Sequence, residues 1–505
     1  MFNLAACLIV FGRYITVTCR YIDQSFVSVR LVLAFDQMNA AHTGENIQKH
    51  ILQVCEDFEI VDRVISIVLD NAGNNNTAIA AHLRIPDLPF NGRFLHQRCL
   101  SHVLNIVVQQ ALTACKDALR NLRHCLKHVK SPKQTNFFTY IIENYAIDLM
   151  GVARPKLDVQ HRWNATYETI EKSIQFKRVI NQYIADFKGI DTHGHAIVLE
   201  PITEAHWKQL ESLRDFLSSF NDFTNILNVS DSYPSITKAY HVAVQVKNLI
   251  NSHLADKVGV AEDVVDAALE GTDDVVAAAA ARCLPRVNKY FSNIPDVFRI
   301  GIMLDPRYRG WWLDNEAERI AWKKLLKEVY LTHYAHLPVS NDFAVTYPYP
   351  KHSESIVSTS SVEVNATNGA SSSSSSSSNA AASQRMLDSG SATRFRSPFD
   401  WTNTGVRVDA TGENITTEVD LYWDENESTM ADAHKDKEFK VLKWWAAVSK
   451  VRPRLALMAR HFLGIETTNI NGESTFSRGN ALITDDRSSL SPKSIRALIL
   501  TECMY

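Results

Sequence analysis

The stretch "VISIVLDNAGNNNTAIAAHL", residues 64–83, runs an apolar segment directly into an aspartate and a cluster of asparagines. Its first six residues are mostly β-branched, which is typical of a strand buried in the middle of a sheet. Asp70 then follows the carboxyl end of this strand, and the asparagines supply turn and helix-start chemistry for a helix that continues through Leu83. A carboxylate in this place is either a metal ligand or a plain helix cap, and the stretch alone leaves both open.

Neighbouring segments extend this strand into a mixed sheet. "RYITVTCRYI" (13–22) and "SFVSVRLVLAF" (25–35) predict a hairpin around Asp23, and "GRFLHQRC" (92–99) predicts a further short strand. An amphipathic helix is predicted over "HTGENIQKHILQVCEDF" (42–58). The apolar run Leu4–Phe11 has the size of a signal peptide, but no Lys or Arg precedes it, so a buried strand is favoured. Hairpin strands followed by strand–helix–strand predict an α/β fold.

The bulk composition is that of a globular protein: 505 residues, 45% hydrophobic and 22% charged. This length accommodates roughly two to four domains. The formal net charge of −3 excludes a globally basic nucleic-acid binder, so DNA contacts must come from local patches. The eight cysteines form no CxxC pair, which indicates reduced intracellular thiols. No apolar run reaches the roughly 18 residues that a membrane-spanning helix needs, so no membrane association is expected.

From Ser101 onward the sequence pattern turns helical. A basic stripe at three-and-four spacing shares one predicted helix face: Lys116, Arg120, Arg123, Lys127 and Lys130. This stripe is either a solvated face or a surface that contacts phosphates. Residues 351–396 include eight consecutive serines and cannot build a packed core, so we predict a flexible linker there. Two helical segments broken near Pro453 are predicted close to the C-terminus.

Five local motifs follow one another along the chain: "LDNAGNN" (69–75), "RCLSHVLNIVV" (98–108), "HRWNATYETI" (161–170), "MLDPRY" (303–308) and "NGESTFSRGNALITDDRSSLSP" (471–492). In this order and spacing they resemble the transposases of the hAT superfamily (the hobo, Ac and Tam3 elements). The resemblance implies an α/β fold with an RNase H-like core split by a large all-helical insertion domain. It assigns residues 1–150 to the first part of the core and 151–434 to the insertion. Residues 435–505 become a C-terminal dimerisation region that completes the core.

An acidic triad holds two divalent ions, Mg²⁺ or Mn²⁺, in that family, and these ions activate the attacking oxygen and stabilise the leaving oxygen. By resemblance, Asp70 and Glu473 are catalytic residues and metal ligands. Around Glu473 the chain reads "GESTFS", so the family's usual serine and arginine are replaced. The first aspartate, from a "D-x-W-T-S" stretch, has no counterpart, because no acidic residue precedes Asp23 and Asp23 aligns with a hairpin position. The triad is therefore incomplete, and weak metal binding is expected.

The family's N-terminal zinc-binding DNA-recognition domain also has no counterpart, which fits a truncated copy or a mispredicted start. Arg162 and Trp163 match an RW pair in which the tryptophan stacks on a flipped base and the arginine holds phosphate; the alternative is a core tryptophan beside a surface arginine. Cys99 and His102 match a C-x-x-H motif near the active centre. A structural zinc site needs four ligands and no second pair follows, so we predict that His102 contacts phosphate or packs.

The C-terminal segment carries large apolar residues, among them Trp444, Trp445 and Phe462, that match the dimerisation region. They either mediate self-association or cover other parts of the same chain. The leading hypothesis is a DNA transposase that acts on transposon ends in the nucleus. The alternative is a degenerate or domesticated transposase-derived protein that binds DNA and dimerises without catalysis. The incomplete triad favours the absence of activity in this chain.

Overall fold

The sheet predicted around residues 64–69 is present in the computed structural model as a five-stranded mixed sheet with the order β3-β2-β1-β4-β5. Strands β1 (Phe2–Ile9), β2 (Tyr14–Ile22) and β3 (Ser28–Gln37) are antiparallel neighbours. Strand β4 (Val64–Leu69) pairs with β1 in parallel, and β5 (His96–Arg98) pairs with β4 in parallel. The carboxyl ends of β1, β4 and β5 therefore lie at one edge of the sheet.

The structure describes residues 2–9, 14–38, 40–160, 162–190, 196–227, 234–254, 274–310, 313–340, 345, 417–424, 439–469 and 491–502. These residues belong to one compact unit that contains residues 1–347 and 416–505. The predicted serine-rich linker at 351–396 lies outside the described residues.

Strand β4 is the centre of the α/β part, since all six of its residues are buried. Helices α1 (Gly44–Asp57) and α2 (Gly73–His82) cover one face, where Ile47 and Ile51 share a core with Ile67 and Leu69. The two helices pack so closely that a Cβ atom on Gly44 would collide with the Asn74 carbonyl. Glycine is therefore required where α1 begins.

A helical region follows the sheet and forms the larger core, with ten helices among the described residues: α3 (Leu100–Leu112), α4 (Lys116–Val129), α5 (Pro132–Tyr145), α6 (Trp163–Gln175), α7 (Lys177–Asp186), α8 (Glu204–Leu227), α9 (Ile236–Ser252), α10 (Val275–Phe291), α11 (Asp296–Met303) and α12 (Glu316–His333). The prediction that this insertion is all-helical is wrong in one detail. Strands β6 (Gly189–Ile190) and β7 (Ala196–Ile197) form a short antiparallel ladder, because β-branched isoleucines on both sides favour extended backbone.

The C-terminal part returns to the sheet through four helices: α13 (Glu418–Trp423), α14 (Val441–Val448), α15 (Pro453–Leu463) and α16 (Pro492–Glu502). The predicted break at Pro453 is present, with the proline in the first turn of α15. Helix α15 packs against β2 and α16 packs against β3. An α/β fold with a helical insertion is confirmed. Within the described residues, no helix combines the length and the apolarity that a membrane crossing requires.

Candidate catalytic edge and DNA-contacting residues

Asp70 lies at the carboxyl edge of the sheet, one residue beyond the end of β4. Its Oδ1 accepts hydrogen bonds from the Ala72 backbone amide (2.8 Å) and from Asn75 Nδ2 (2.6 Å). Its Oδ2 accepts none from the part of the chain that the structure describes. The helix-cap interpretation is wrong, because the N-cap of α2 is Ala72 and no side chain caps this helix; Asp70 instead holds the turn before α2 through one oxygen.

No second carboxylate joins Asp70 on the neighbouring strand, because the described β1 sequence, "FNLAACLI", contains no acidic residue. The parallel ladder pairs Ala5 with Val68, so two residues further along Cys7 comes level with Asp70. Asp23 cannot substitute, since it follows β2 at the opposite edge of the sheet and its Oδ1 accepts the amides of the hairpin turn.

The remaining acidic residue near this edge, Asp36 on β3, is three strands from β4 and is already paired with His50 and Arg496. Three strand spacings of about 4.8 Å each separate it from Asp70 by roughly 14 Å, too far to share a metal ion. In the described ranges, no three side chains of His, Cys, Asp or Glu are grouped so that they could hold a metal. Glu473 lies outside the described residues.

The C-terminal segment nevertheless reaches the same edge of the sheet. The Leu100 amide donates to the Thr467 carbonyl (2.7 Å), and the Asn469 amide lies 3.3 Å from the Cys99 sulfur. Cys99 in turn donates its amide to the carbonyl of Leu69, the residue before Asp70. Asn469, the last described residue before Glu473, is thus linked to the end of β4 through Cys99.

Buried charges fix this segment on the sheet. Glu466 Oε1 lies 3.9 Å from Arg20 Nη1 on β2 and 3.4 Å from Arg30 Nε on β3. Arg20 is 1% exposed and Glu466 is 4% exposed. Burial lowers the pKa of Arg20 to about 10, with Glu466 opposing this shift, so the guanidinium is charged at neutral pH. An unpaired buried charge is costly, so each group requires the other.

The C-x-x-H motif lies beside this contact. Cys99 is buried in the turn into α3, and His102 is partly buried on that helix. Burial, with a smaller contribution from Arg98, lowers the pKa of nearby His96 to about 4, so this imidazole is neutral at pH 7. With no third ligand grouped there among the described side chains, the motif supports packing.

The RW pair is divided between surface and core. Arg162 is exposed at the start of α6, whereas Trp163 is 3% exposed and its amide donates to Asn105 Oδ1. A base cannot stack on a buried indole, so in this conformation Trp163 is the core residue of the alternative interpretation. Its role in stacking on a base remains a prediction and requires the loop before α6 to move.

The basic stripe lies on α4, as predicted, but its members differ. Lys116, Lys127 and Lys130 are exposed. Arg120 is exposed and pairs with Asp117 at 2.8 Å. Arg123 is largely withdrawn, because its guanidinium makes three hydrogen bonds of 2.6–3.1 Å to Asp158, whose side chain is fully buried. A positive charge that is already neutralised contributes little to phosphate binding, so Arg123 is a poor candidate for a DNA contact.

Asp158 is a residue that the sequence did not single out. Burial would raise its pKa, but hydrogen bonds from Arg123 and Thr166 lower it below its usual value. Together these contacts hold the loop before α6 against α4. The exposed side of α4 and this loop enclose a cavity of about 440 Å³, lined in part by Arg120, Lys127 and Gln160. In the sequence, Asp158 could have been noticed only as a carboxylate four residues before the RW pair.

Three family models match the chain. The ZBED1 RNase-like domain matches residues 11–86, and the ZBED1 RNase-like helical domain matches residues 97–216. The hAT family C-terminal dimerisation region matches residues 418–505. The first match contains strands β2 to β4, the second begins within β5 and ends within α8, and the third begins at α13.

Curated relatives cover nearly all of the chain at low identity. The zinc finger BED domain-containing protein RICESLEEPER 1 of Oryza sativa subsp. japonica is 23% identical over 496 residues, 96% of this chain and 62% of the relative. The putative AC transposase of Zea mays is 22% identical and covers 97% of this chain and 54% of its own length. The zinc finger BED domain-containing protein DAYSLEEPER of Arabidopsis thaliana is 22% identical over 68% of this chain. The chain spans less than two thirds of the length of these relatives.

Proposed function

We propose that this chain is a transposase-derived member of the hAT superfamily that binds DNA and self-associates in the nucleus without cleaving DNA. The observation that carries this proposal is that Asp70 lies at the carboxyl edge of the sheet beside a β1 strand whose described residues include no carboxylate. A DNA-cleaving centre needs two ions held by several oxygen ligands.

An RNase H-like core split by the insertion is part of the proposal. The support is topological, since β4 and β1 are parallel neighbours and the C-terminal segment is tied to the end of β4 through Cys99. The last described residue of this segment, Asn469, lies beside Cys99, and Glu473 follows it outside the described residues.

The residues present do not fit a pair of Mg²⁺ or Mn²⁺ ions. Asp70 offers one oxygen that accepts no hydrogen bond from the described residues, and Glu473 would add one carboxylate. Hard cations of this kind bind through several oxygens, and the position level with Asp70 on β1 carries Cys7. Two carboxylates are expected to hold one ion weakly, and no cleavage step follows from this arrangement.

DNA binding is proposed to rest on the exposed lysines of α4 and on Arg162. Phosphate contacts of this kind release counterions, so affinity falls as salt rises. Self-association is expected from the C-terminal region. The large apolar residues Trp445 and Phe462 are fully buried within the same chain, so the contact between copies must use other side chains of that region.

A cleavage assay tests the proposal. The purified 505-residue chain is incubated with hairpin and inverted-repeat DNA in Mg²⁺ and in Mn²⁺. We expect binding but no nicking, with light scattering reporting a species larger than the monomer. Nicking that is abolished by Asp70→Ala but retained by Asp57→Ala, an exposed carboxylate at the end of α1, would show an active centre and overturn the proposal.

A further inference from the structure

Two histidines on α4 meet outside the catalytic edge. His124 and His128 are one helical turn apart, and their Nε2 atoms lie 3.3 Å from each other. The two rings are inclined at 73°, and the His128 ring also packs against Phe187, with ring centroids 5.4 Å apart. Both side chains are partly exposed. Two imidazoles at this spacing on one helix face are an arrangement that chelates metal ions.

We propose that His124 and His128 form a binding site for a late first-row divalent metal ion such as Zn²⁺, Ni²⁺ or Cu²⁺. Two metal–nitrogen bonds of about 2.05 Å whose ends are 3.3 Å apart enclose an angle of about 107°, close to tetrahedral. The same separation also allows a hydrogen bond between the two rings in the metal-free protein, and a bound metal ion would replace that hydrogen bond.

The surroundings leave room for the remaining ligands. His124 lines the cavity of about 440 Å³ described above, together with Gln160 and Glu200. The remaining positions are left to water, because no third His, Cys, Asp or Glu of the described residues is grouped with the two imidazoles. The site has two protein ligands in this arrangement, so its metal exchanges with solvent, unlike a closed structural site with four ligands.

Nearby charges act in both directions. Burial, His124 and Lys127 lower the pKa of His128, which keeps the ring in the neutral form that a metal requires. Lys127 also repels a cation, but it is exposed and solvent screens this repulsion. Two guanidinium groups also line the cavity, and each is paired: Arg123 with Asp158 and Arg120 with Asp117. Imidazole nitrogens favour Zn²⁺, Ni²⁺ and Cu²⁺ over Mg²⁺. The site uses neither Asp70 nor Glu473, so it does not depend on the proposed function.

Titration of the full chain tests the proposal. A chain without an affinity tag is stripped with EDTA and titrated calorimetrically with ZnCl₂ and NiCl₂, and Cu²⁺ is examined by electron paramagnetic resonance. We expect one saturable site, with nitrogen hyperfine structure from two imidazoles. His124→Ala and His128→Ala should each weaken it by roughly tenfold or more. His253→Ala, which removes an exposed histidine packed on Phe216, should leave it unchanged.

Two controls keep the outcome decisive. Thermal unfolding without metal checks that the variants fold, and His124→Ala spares the packing of His128 on Phe187. Excess Mg²⁺ should not displace the bound ion. The proposal is refuted if wild type shows no saturable site, or if both variants bind Zn²⁺ as tightly as wild type does.

Discussion

Replacing Glu466 by Gln tests how the C-terminal segment is held on the sheet. The substitution keeps the shape of the side chain but removes the charge that faces Arg20 and Arg30. In wild type, burial lowers the pKa of Arg20 to about 10 and Glu466 opposes this shift, so the substitution removes the charge that favours the protonated guanidinium. At 3.9 Å and an effective dielectric constant of about 20, the Coulomb energy of the Arg20–Glu466 pair is about 4 kcal/mol.

We therefore expect Glu466→Gln to lower the free energy of unfolding by about 3 kcal/mol, within the range of roughly 3–5 kcal/mol found when one partner of a buried pair is removed. The measurement is denaturant unfolding followed by tryptophan fluorescence. Hydrogen exchange at the Leu100 amide gives a local readout, because Thr467 accepts its hydrogen bond. This amide should exchange faster in the variant.

Glu328→Gln is the matched control, since Glu328 pairs with Arg93 at 2.8 Å but is 56% exposed. Exposed pairs contribute about 0–1 kcal/mol, so this change should be small. The double variant Arg20→Met with Glu466→Gln should recover part of the loss, because it no longer buries an unpaired cation. The electrostatic explanation fails if Glu466→Gln costs no more than Glu328→Gln, or if the double variant recovers nothing.

Three further predictions follow from the described contacts. Cys7→Asp places a carboxylate level with Asp70, and we expect it to confer Mn²⁺-dependent nicking; the absence of nicking in a folded variant contradicts this register. Lys127→Ala should reduce the slope of log affinity for DNA against log salt by about 1, whereas Arg123→Ala should change it little because Asp158 already neutralises that charge; equal slopes contradict the assignment. Burial lowers the pKa of His82 to about 4, and neither ring nitrogen has a hydrogen-bond partner among the described residues. Because the unfolded chain binds this proton more readily, His82 should contribute up to about 3 kcal/mol to the stability lost as pH falls from about 6.5 to about 4, and His82→Leu should reduce that loss by this amount in denaturant unfolding at both pH values.

Local sequence patterns predicted the helices and strands whose structure depends on residues that are close in sequence. The β-branched run before Asp70 is a buried strand, and the helix break at Pro453 is present, because strand burial and proline geometry act within a few residues. The burial of Trp163 could not be predicted, since its periodicity fits a core residue and a DNA-stacking residue equally well. The pairing of Arg20 with Glu466 joins residues far apart in sequence, and no local pattern encodes such a partner.

The same distinction applies to the candidate site. The position of Asp70 at the end of a strand could be predicted from the strand itself. Which side chains lie near Asp70 depends on β1 and on the C-terminal segment, and both are far from it in sequence. The basic stripe was placed correctly on α4, whereas the loss of Arg123 to Asp158 depends on a loop some thirty-five residues away. Charge patterns on a helix face show where cations lie but not which of them are already paired.

The absence of a carboxylate on β1 affects catalysis and folding in opposite directions. Carboxylates gathered at one edge of a sheet repel each other when no metal neutralises them, so a complete triad destabilises the metal-free fold. A strand with apolar and small residues opposite Asp70 removes that repulsion while the ladder between β1 and β4 stays in register. The contacts that carry the C-terminal segment to the edge, through Glu466 and Asn469, involve none of the metal ligands. Under the proposed function, the chain keeps its fold and the exposed basic residues of α4 without a carboxylate on the described β1 strand.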